Sequence, residues 1–147
     1  MDIQVSLLEK SFAIVAPKAE ALVHDFYETL FRDYPAVKPL FEGVDRREQE
    51  KKLLGALTLV INNLRKPQVL LPALRELGAR HVGYGALPSH YPAVGATLLK
   101  VLAYHVGSAW TPELEQAWTG AYDVIQETML EGAARLEPST APLRGIE

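Results

Sequence analysis

The chain has 147 residues, enough for one domain with a sizeable core, and its 48% hydrophobic and 22% charged fractions are those of an ordinary globular protein. A net charge of −3 gives no electrostatic reason to expect a nucleic-acid or anionic-membrane partner. Cysteine is absent, which excludes disulfides, thiolate metal sites and cysteine nucleophiles.

The start, Met1-Asp2-Ile3-Gln4, lacks the basic and apolar segments of a signal peptide, so the expected location is cytoplasmic. Apolar residues then recur at helical spacing. Val5, Leu8, Phe12 and Val15 form a first stripe that Pro17 interrupts. Ala19, Leu22, Val23, Phe26, Tyr27 and Leu30 form a second. Pro35 and Pro39 confine a short segment ending near Phe41. Asp45-Arg46-Arg47-Glu48 has the form of a capping box and opens a third helix, with Leu53, Leu54, Leu57, Val60 and Ile61 on its stripe. No apolar run approaches the ~20 residues of a membrane span.

A fourth helix is predicted over Gln68 to Val82, ended by Gly83 and Gly85. A fifth runs from about His90 to Val106, with Val94, Leu98, Val101 and Leu102 inside. Thr111-Pro112-Glu113 combines an N-cap, a proline at the first helical position and an acid at the positive end of the helix dipole. The sixth helix continues through Trp118, Tyr122, Ile125 and Met129, and Trp110 and Trp118 read as core residues, with a dimer contact as the alternative. No strand alternation or internal repeat is visible. The expected fold is all-α, with six long helices and at least one short one. The domain is expected over 1–137, with 138–147 a loose proline-rich tail.

Phosphate loops, the Gly-x-Ser-x-Gly elbow and the His-Glu-x-x-His zinc helix are missing. Gly55 sits inside a helical run, where close helix packing would explain it. Glu48 and Glu50 lie among Arg46, Arg47, Lys51 and Lys52 and read as a solvated face. The most informative residue is His81, which follows Leu70, Leu74 and Leu77 at helical spacing on an inward-facing stripe. A buried imidazole must hydrogen-bond, titrate or bind a metal, because an unpartnered buried polar group costs about 1–3 kcal/mol. His105 shares a face with Leu98, Val101 and Leu102, so periodicity alone does not choose between the two. His24 reads as exposed, and His90 as a helix-start or loop residue. Tyr27 sits on a core stripe and needs a partner for its hydroxyl. A backbone carbonyl would serve as well as a ligand. Gln49 lies one turn before Leu53, where a surface amide is the plainer alternative.

Several stretches resemble, in order and at compatible separations, the bacterial single-domain haemoglobins and the haem domain of flavohaemoglobins. They are Asp25-Phe26-Tyr27-Glu28-Thr29-Leu30-Phe31, Pro39-Leu40-Phe41, Leu71-Pro72-Ala73-Leu74, Arg80-His81, His90-Tyr91-Pro92-Ala93-Val94-Gly95 and Ala117-Trp118-Thr119-Gly120-Ala121-Tyr122. The resemblance covers roughly residues 3–134 and implies a globin-like fold around a pocket for haem b. It implies His81 as the proximal iron ligand and matches His105 to no haem ligand. It implies Phe41, Leu53, Leu57, Leu77, Tyr91 and Val94 as cofactor contacts, with Tyr27 and Gln49 as distal hydrogen-bond donors to bound dioxygen.

The chain departs from flavohaemoglobins at one position. Their last helix carries a glutamate that joins the proximal histidine and tyrosine. Here Ala133 aligns with it, and Glu131 is the nearest acid. The chain also ends where their flavin reductase module would begin. The resemblance therefore implies reversible binding of dioxygen for storage, delivery or scavenging. The alternatives are a nitric oxide dioxygenase dependent on a separate reductase, and a gas-sensing or haemless domain. Nitric oxide and carbon monoxide are further expected ligands.

Overall fold

The computed structural model describes residues 4–83 and 85–140. Six α-helices follow in order: α1 Val5–Val15, α2 Ala19–Asp33, α3 Arg46–Asn62, α4 Pro67–Gly83, α5 His90–Val106 and α6 Pro112–Thr140. Three short 3₁₀ segments, Ala16–Lys18, Pro35–Phe41 and Gly107–Ala109, join them, and there is no strand among the described residues. None of the described helices is long and apolar enough to cross a membrane.

Local chemistry sets the boundaries. Pro17 lies in the 3₁₀ turn that separates α1 from α2. Asp45 caps α3 by accepting from the Glu48 amide at 3.1 Å, as the capping-box pattern predicts. Thr111 caps α6 through Oγ1, which accepts from the Leu114 amide at 3.2 Å. Pro67 and Pro112 each open a helix, where their missing N–H removes no bond. Gly107 ends α5 with φ at +71°, a conformation that costs a glycine little. Helix α6 continues past 137 to Thr140, so residues 138–140 are helical, and 141–147 of the expected tail lie outside the described residues.

The stripes meet in one core. Leu8, Val15, Leu22, Leu30, Leu74 and Leu102 are all but sealed from solvent, each contributing about 1.5–3 kcal/mol through burial. Trp118 is buried and donates from Nε1 to Ser11 Oγ at 2.9 Å, pinning α6 to α1. Trp110 is half-buried against the core and donates to Glu115.

Helix α4 packs most extensively on α6. The crossing is made by glycines that the sequence pattern did not single out. A methyl group on Gly78 would collide with the Met129 backbone, and one on Gly132 with the Arg75 backbone. Gly55, by contrast, is exposed, and a methyl group there would meet nothing within 4 Å. Close packing therefore does not explain Gly55. It explains Gly78 and Gly132.

Candidate functional site

Helix α4 presents His81 near its C-terminal end. Burial falls along the stripe: Leu70 and Leu74 are fully buried, whereas Leu77 and His81 are half-buried. The imidazole Nδ1 lies 2.8 Å from the Leu77 carbonyl oxygen. A carbonyl only accepts, so Nδ1 carries the hydrogen, and in the neutral ring the lone pair sits on Nε2. Burial holds the imidazole below its usual range, against the opposing effect of the Leu77 bond, and so favours the neutral ring. A neutral imidazole with an oriented Nε2 lone pair is the donor form that binds iron. The chemistry of this residue therefore fits a haem ligand.

Tyr27 on α2 and Gln49 on α3 meet side chain to side chain. Gln49 Nε2 donates to the Tyr27 hydroxyl oxygen at 3.2 Å, so the phenol's partner is an amide and not a backbone carbonyl. Burial raises the Tyr27 pKa above the usual phenol value, which keeps its proton available for donation. Phe26, Phe31 and Phe41 surround this ring, with centroids 4.9, 5.9 and 5.6 Å away. Tyr27, Gln49 and Phe41 line a cavity of about 200 Å³, together with Phe31, Lys38, Glu42, Val44 and Arg46.

Tyr91 belongs to a second cavity of about 270 Å³, whose walls are Val82, Ala86, Pro88, Leu130, Ala133 and Ala134. Its phenol is the one polar side chain among the described lining residues, and burial raises its pKa. Ala133, the position that aligns with the flavohaemoglobin glutamate, is thus a cavity wall. Glu131 is exposed and forms an ion pair with α4, 2.6 Å from Arg75 Nε. Leu57 is in the core, while Leu53, Leu77 and Val94 are half-buried at its margin. His81, Leu53, Leu57, Leu77 and Val94 are not among the described lining residues of either cavity.

The remaining histidines have structural partners. His105 Nε2 lies 2.7 Å from Asp25 Oδ2, tying α5 to α2. His90 Nδ1 accepts from the Leu87 amide at 3.0 Å, in the turn before α5. His24 is exposed and lies 3.1 Å from Glu50.

That last contact corrects the reading of the charged stretch as a solvated face. Glu48, Arg47, Lys51 and Lys52 do face solvent, but Arg46 and Glu50 turn inward, with side chains 35% and 15% exposed. Their i, i+4 spacing was the available signal.

Fold and site together define a small helical protein with an imidazole donor on one helix and a phenol–amide pair between two others. The chain belongs to the globin family, whose model matches residues 24–129. Among curated relatives, the flavohemoprotein of Rhodopirellula baltica is 32% identical over 142 residues, covering 94% of this chain and 35% of the relative. The flavohemoprotein of Pseudomonas aeruginosa is 28% identical over 145 residues, covering 97% and 37%. The chain thus spans little more than a third of the length of these relatives. Among solved structures, a bacterial globin from Campylobacter jejuni matches with a TM-score of 0.78 and 29% identity, covering 90% of this chain and 96% of that one. An engineered carbene transferase from Rhodothermus marinus, assigned as a nitric oxide dioxygenase, matches with a TM-score of 0.83 and 26% identity, covering 93% and 95%.

Proposed function

We propose that the chain holds a haem through His81 Nε2 and binds dioxygen reversibly, with Tyr27 and Gln49 as the distal donors. The observation that carries this reading is the pairing of a neutral, oriented imidazole on α4 with a buried phenol–amide pair between α2 and α3. When bound, a haem would supply an iron able to take a diatomic ligand. His81 supplies the protein nitrogen, oriented by the Leu77 carbonyl. Phe41, Leu53, Leu57, Leu77, Tyr91 and Val94 would supply the haem's apolar and aromatic contacts.

Tyr27 and Gln49 offer O–H and N–H donors to a ligand that gains partial negative charge. Because Gln49 donates to Tyr27, the phenol's own proton is left to point at the ligand. A hydrogen bond to a charged acceptor contributes about 1.5–3 kcal/mol. Tyr27→Phe should therefore release dioxygen roughly ten- to a hundredfold faster. An unchanged release rate in stopped-flow measurements would remove Tyr27 from the donor role.

The reading is tested by visible absorption of the haem-supplemented chain, reduced without oxygen and then exposed to air. A five-coordinate ferrous spectrum that converts to a stable oxygenated one is expected, and His81→Ala should abolish it. Failure to take up haem tightly, or uptake indifferent to His81→Ala, would overturn the assignment.

A second reading, nitric oxide dioxygenase activity, is favoured by the flavohemoprotein relatives and the Rhodothermus marinus neighbour. It requires an electron donor to restore the ferrous state. Sustained consumption of nitric oxide with an added reductase would support it, whereas one turnover followed by arrest would favour simple oxygen binding.

A further inference from the structure

Arg46, the first residue of α3, gathers more partners than any other polar side chain around the distal cavity. Its Nη2 donates to Glu28 Oε2 at 3.1 Å and to the His24 carbonyl oxygen at 3.3 Å, both on α2. Its Nε lies 3.0 Å from Glu50 Oε2, one turn further along α3. That same carboxylate oxygen is 3.1 Å from His24 Nδ1. The guanidinium carbon also sits 5.5 Å from the centroid of the Tyr27 ring and 5.5 Å from that of Phe31, within cation–π range.

These contacts share a geometric consequence. They bind the first turn of α3 to two adjacent faces of α2: His24 with Glu28, and Tyr27 with Phe31. Gln49 lies between the two α3 residues of this network, Arg46 and Glu50. Its amide reaches the Tyr27 hydroxyl, and Arg46 and Gln49 wall the same cavity. A planar guanidinium with its donors in a fixed fork can hold two helices in one register and stack on the rings beneath. An ammonium on a flexible stem cannot do both.

We propose that Arg46 is a positioning residue of the distal pocket: it clamps α3 onto α2 so that the Gln49 amide stays on the Tyr27 phenol, and its guanidinium closes the cavity mouth over the Tyr27 and Phe31 rings. This rests on the reading of Tyr27 and Gln49 as distal donors. Arg46 touches neither cofactor nor ligand in this role. It sets the aim of the two groups that do.

The test compares Arg46→Ala, Arg46→Lys, Gln49→Leu and Tyr27→Phe in the haem-loaded full chain, with carbon monoxide as the probe. The infrared C–O stretch reports the donors around the ligand. Arg46→Ala should broaden the stretch and move it toward the Gln49→Leu position. It should also speed carbon monoxide association and raise dioxygen release about two- to tenfold, the loss of one ordinary hydrogen bond. Arg46→Lys should fall between Arg46→Ala and the parent.

Arg65→Ala is the structural control. It breaks another inter-element ion pair, Arg65 to Glu9 at 2.8 and 3.2 Å, and should leave the stretch in place. In the haem-free chain, the NMR signals of the Gln49 side-chain amide should shift in Arg46→Ala and stay in Arg65→Ala. The proposal is overturned if Arg46→Ala leaves stretch, rates and amide signals unchanged while Gln49→Leu moves the first two. If Gln49→Leu and Tyr27→Phe themselves leave the stretch unmoved, the donor reading fails, and the proposal with it.

Discussion

Replacing Gly78 by alanine adds one carbon where α4 meets α6. That carbon would stand 2.5 Å from the Met129 carbonyl carbon and 2.6 Å from its Cα. Ordinary carbon–carbon contact lies at ~3.5–4.0 Å, so the helices must part locally by about 1 Å. The obstructing atoms are backbone, so no rotamer change relieves the clash. Overpacking of this kind costs about 1–3 kcal/mol. Alanine recovers about 1 kcal/mol of helix propensity. The net expectation is a loss of up to about 2 kcal/mol, or a Tm lower by up to about 8 °C for a domain of this size.

The same substitution at Gly55 should do the opposite. Its added methyl meets nothing, and it is expected to raise stability by about 0.4–1 kcal/mol. Thermal and urea denaturation of the two haem-free variants beside the parent would measure both. His81 lies three residues beyond Gly78 on α4, so haem affinity should fall in Gly78→Ala and hold in Gly55→Ala. If Gly78→Ala proved as stable as Gly55→Ala, the close α4–α6 crossing would be wrong.

Further outcomes follow from other contacts. Tyr122 is half-buried and donates to the Tyr91 carbonyl oxygen at 2.7 Å, and its partial burial raises its pKa far above the usual phenol value of 10.0. Above pH 10 the unfolded chain therefore loses that proton before the folded one does, and stability should fall as pH rises. Tyr122→Phe should start less stable and show a shallower alkaline decline in urea titrations at pH 9 to 11. An equally steep decline would assign the effect to other groups. Asp45→Ala removes the cap of α3 and should cost about 0.5–2 kcal/mol. Because α3 carries Gln49, amide exchange should quicken most in its first two turns, and uniform quickening would argue against a local effect.

Much of the fold was legible because its determinants are local. Pro17, the Pro35–Phe41 segment, the Asp45 cap and the Thr111-Pro112 start each act within a few residues, and the observed boundaries fall at or beside them. The α5 limits, His90 and Val106, coincide with those expected from periodicity. The expected buried stripes of α1, α2 and α5 largely met in the core for the same reason: periodicity records which face of a helix is apolar.

Periodicity does not record what that face meets. The bond between Gln49 and Tyr27 joins residues 22 apart, and the His105–Asp25 contact joins residues 80 apart. Each depends on the angle and register at which two helices cross. Gly55 and Gly78 look alike as glycines within helical runs, and only the approach of α6 makes one indispensable and the other idle. Arg46 and Glu50 sit in a charged stretch that reads as solvated, yet the position of α2 turns them inward. The sequence by itself determined the helices, their ends and the presence of an inward histidine, because hydrogen bonding and apolar spacing along one helix are local. Only the tertiary structure decided which polar groups meet, how far burial reaches along α4 and which glycines bear a crossing, because those depend on a second helix distant in the chain.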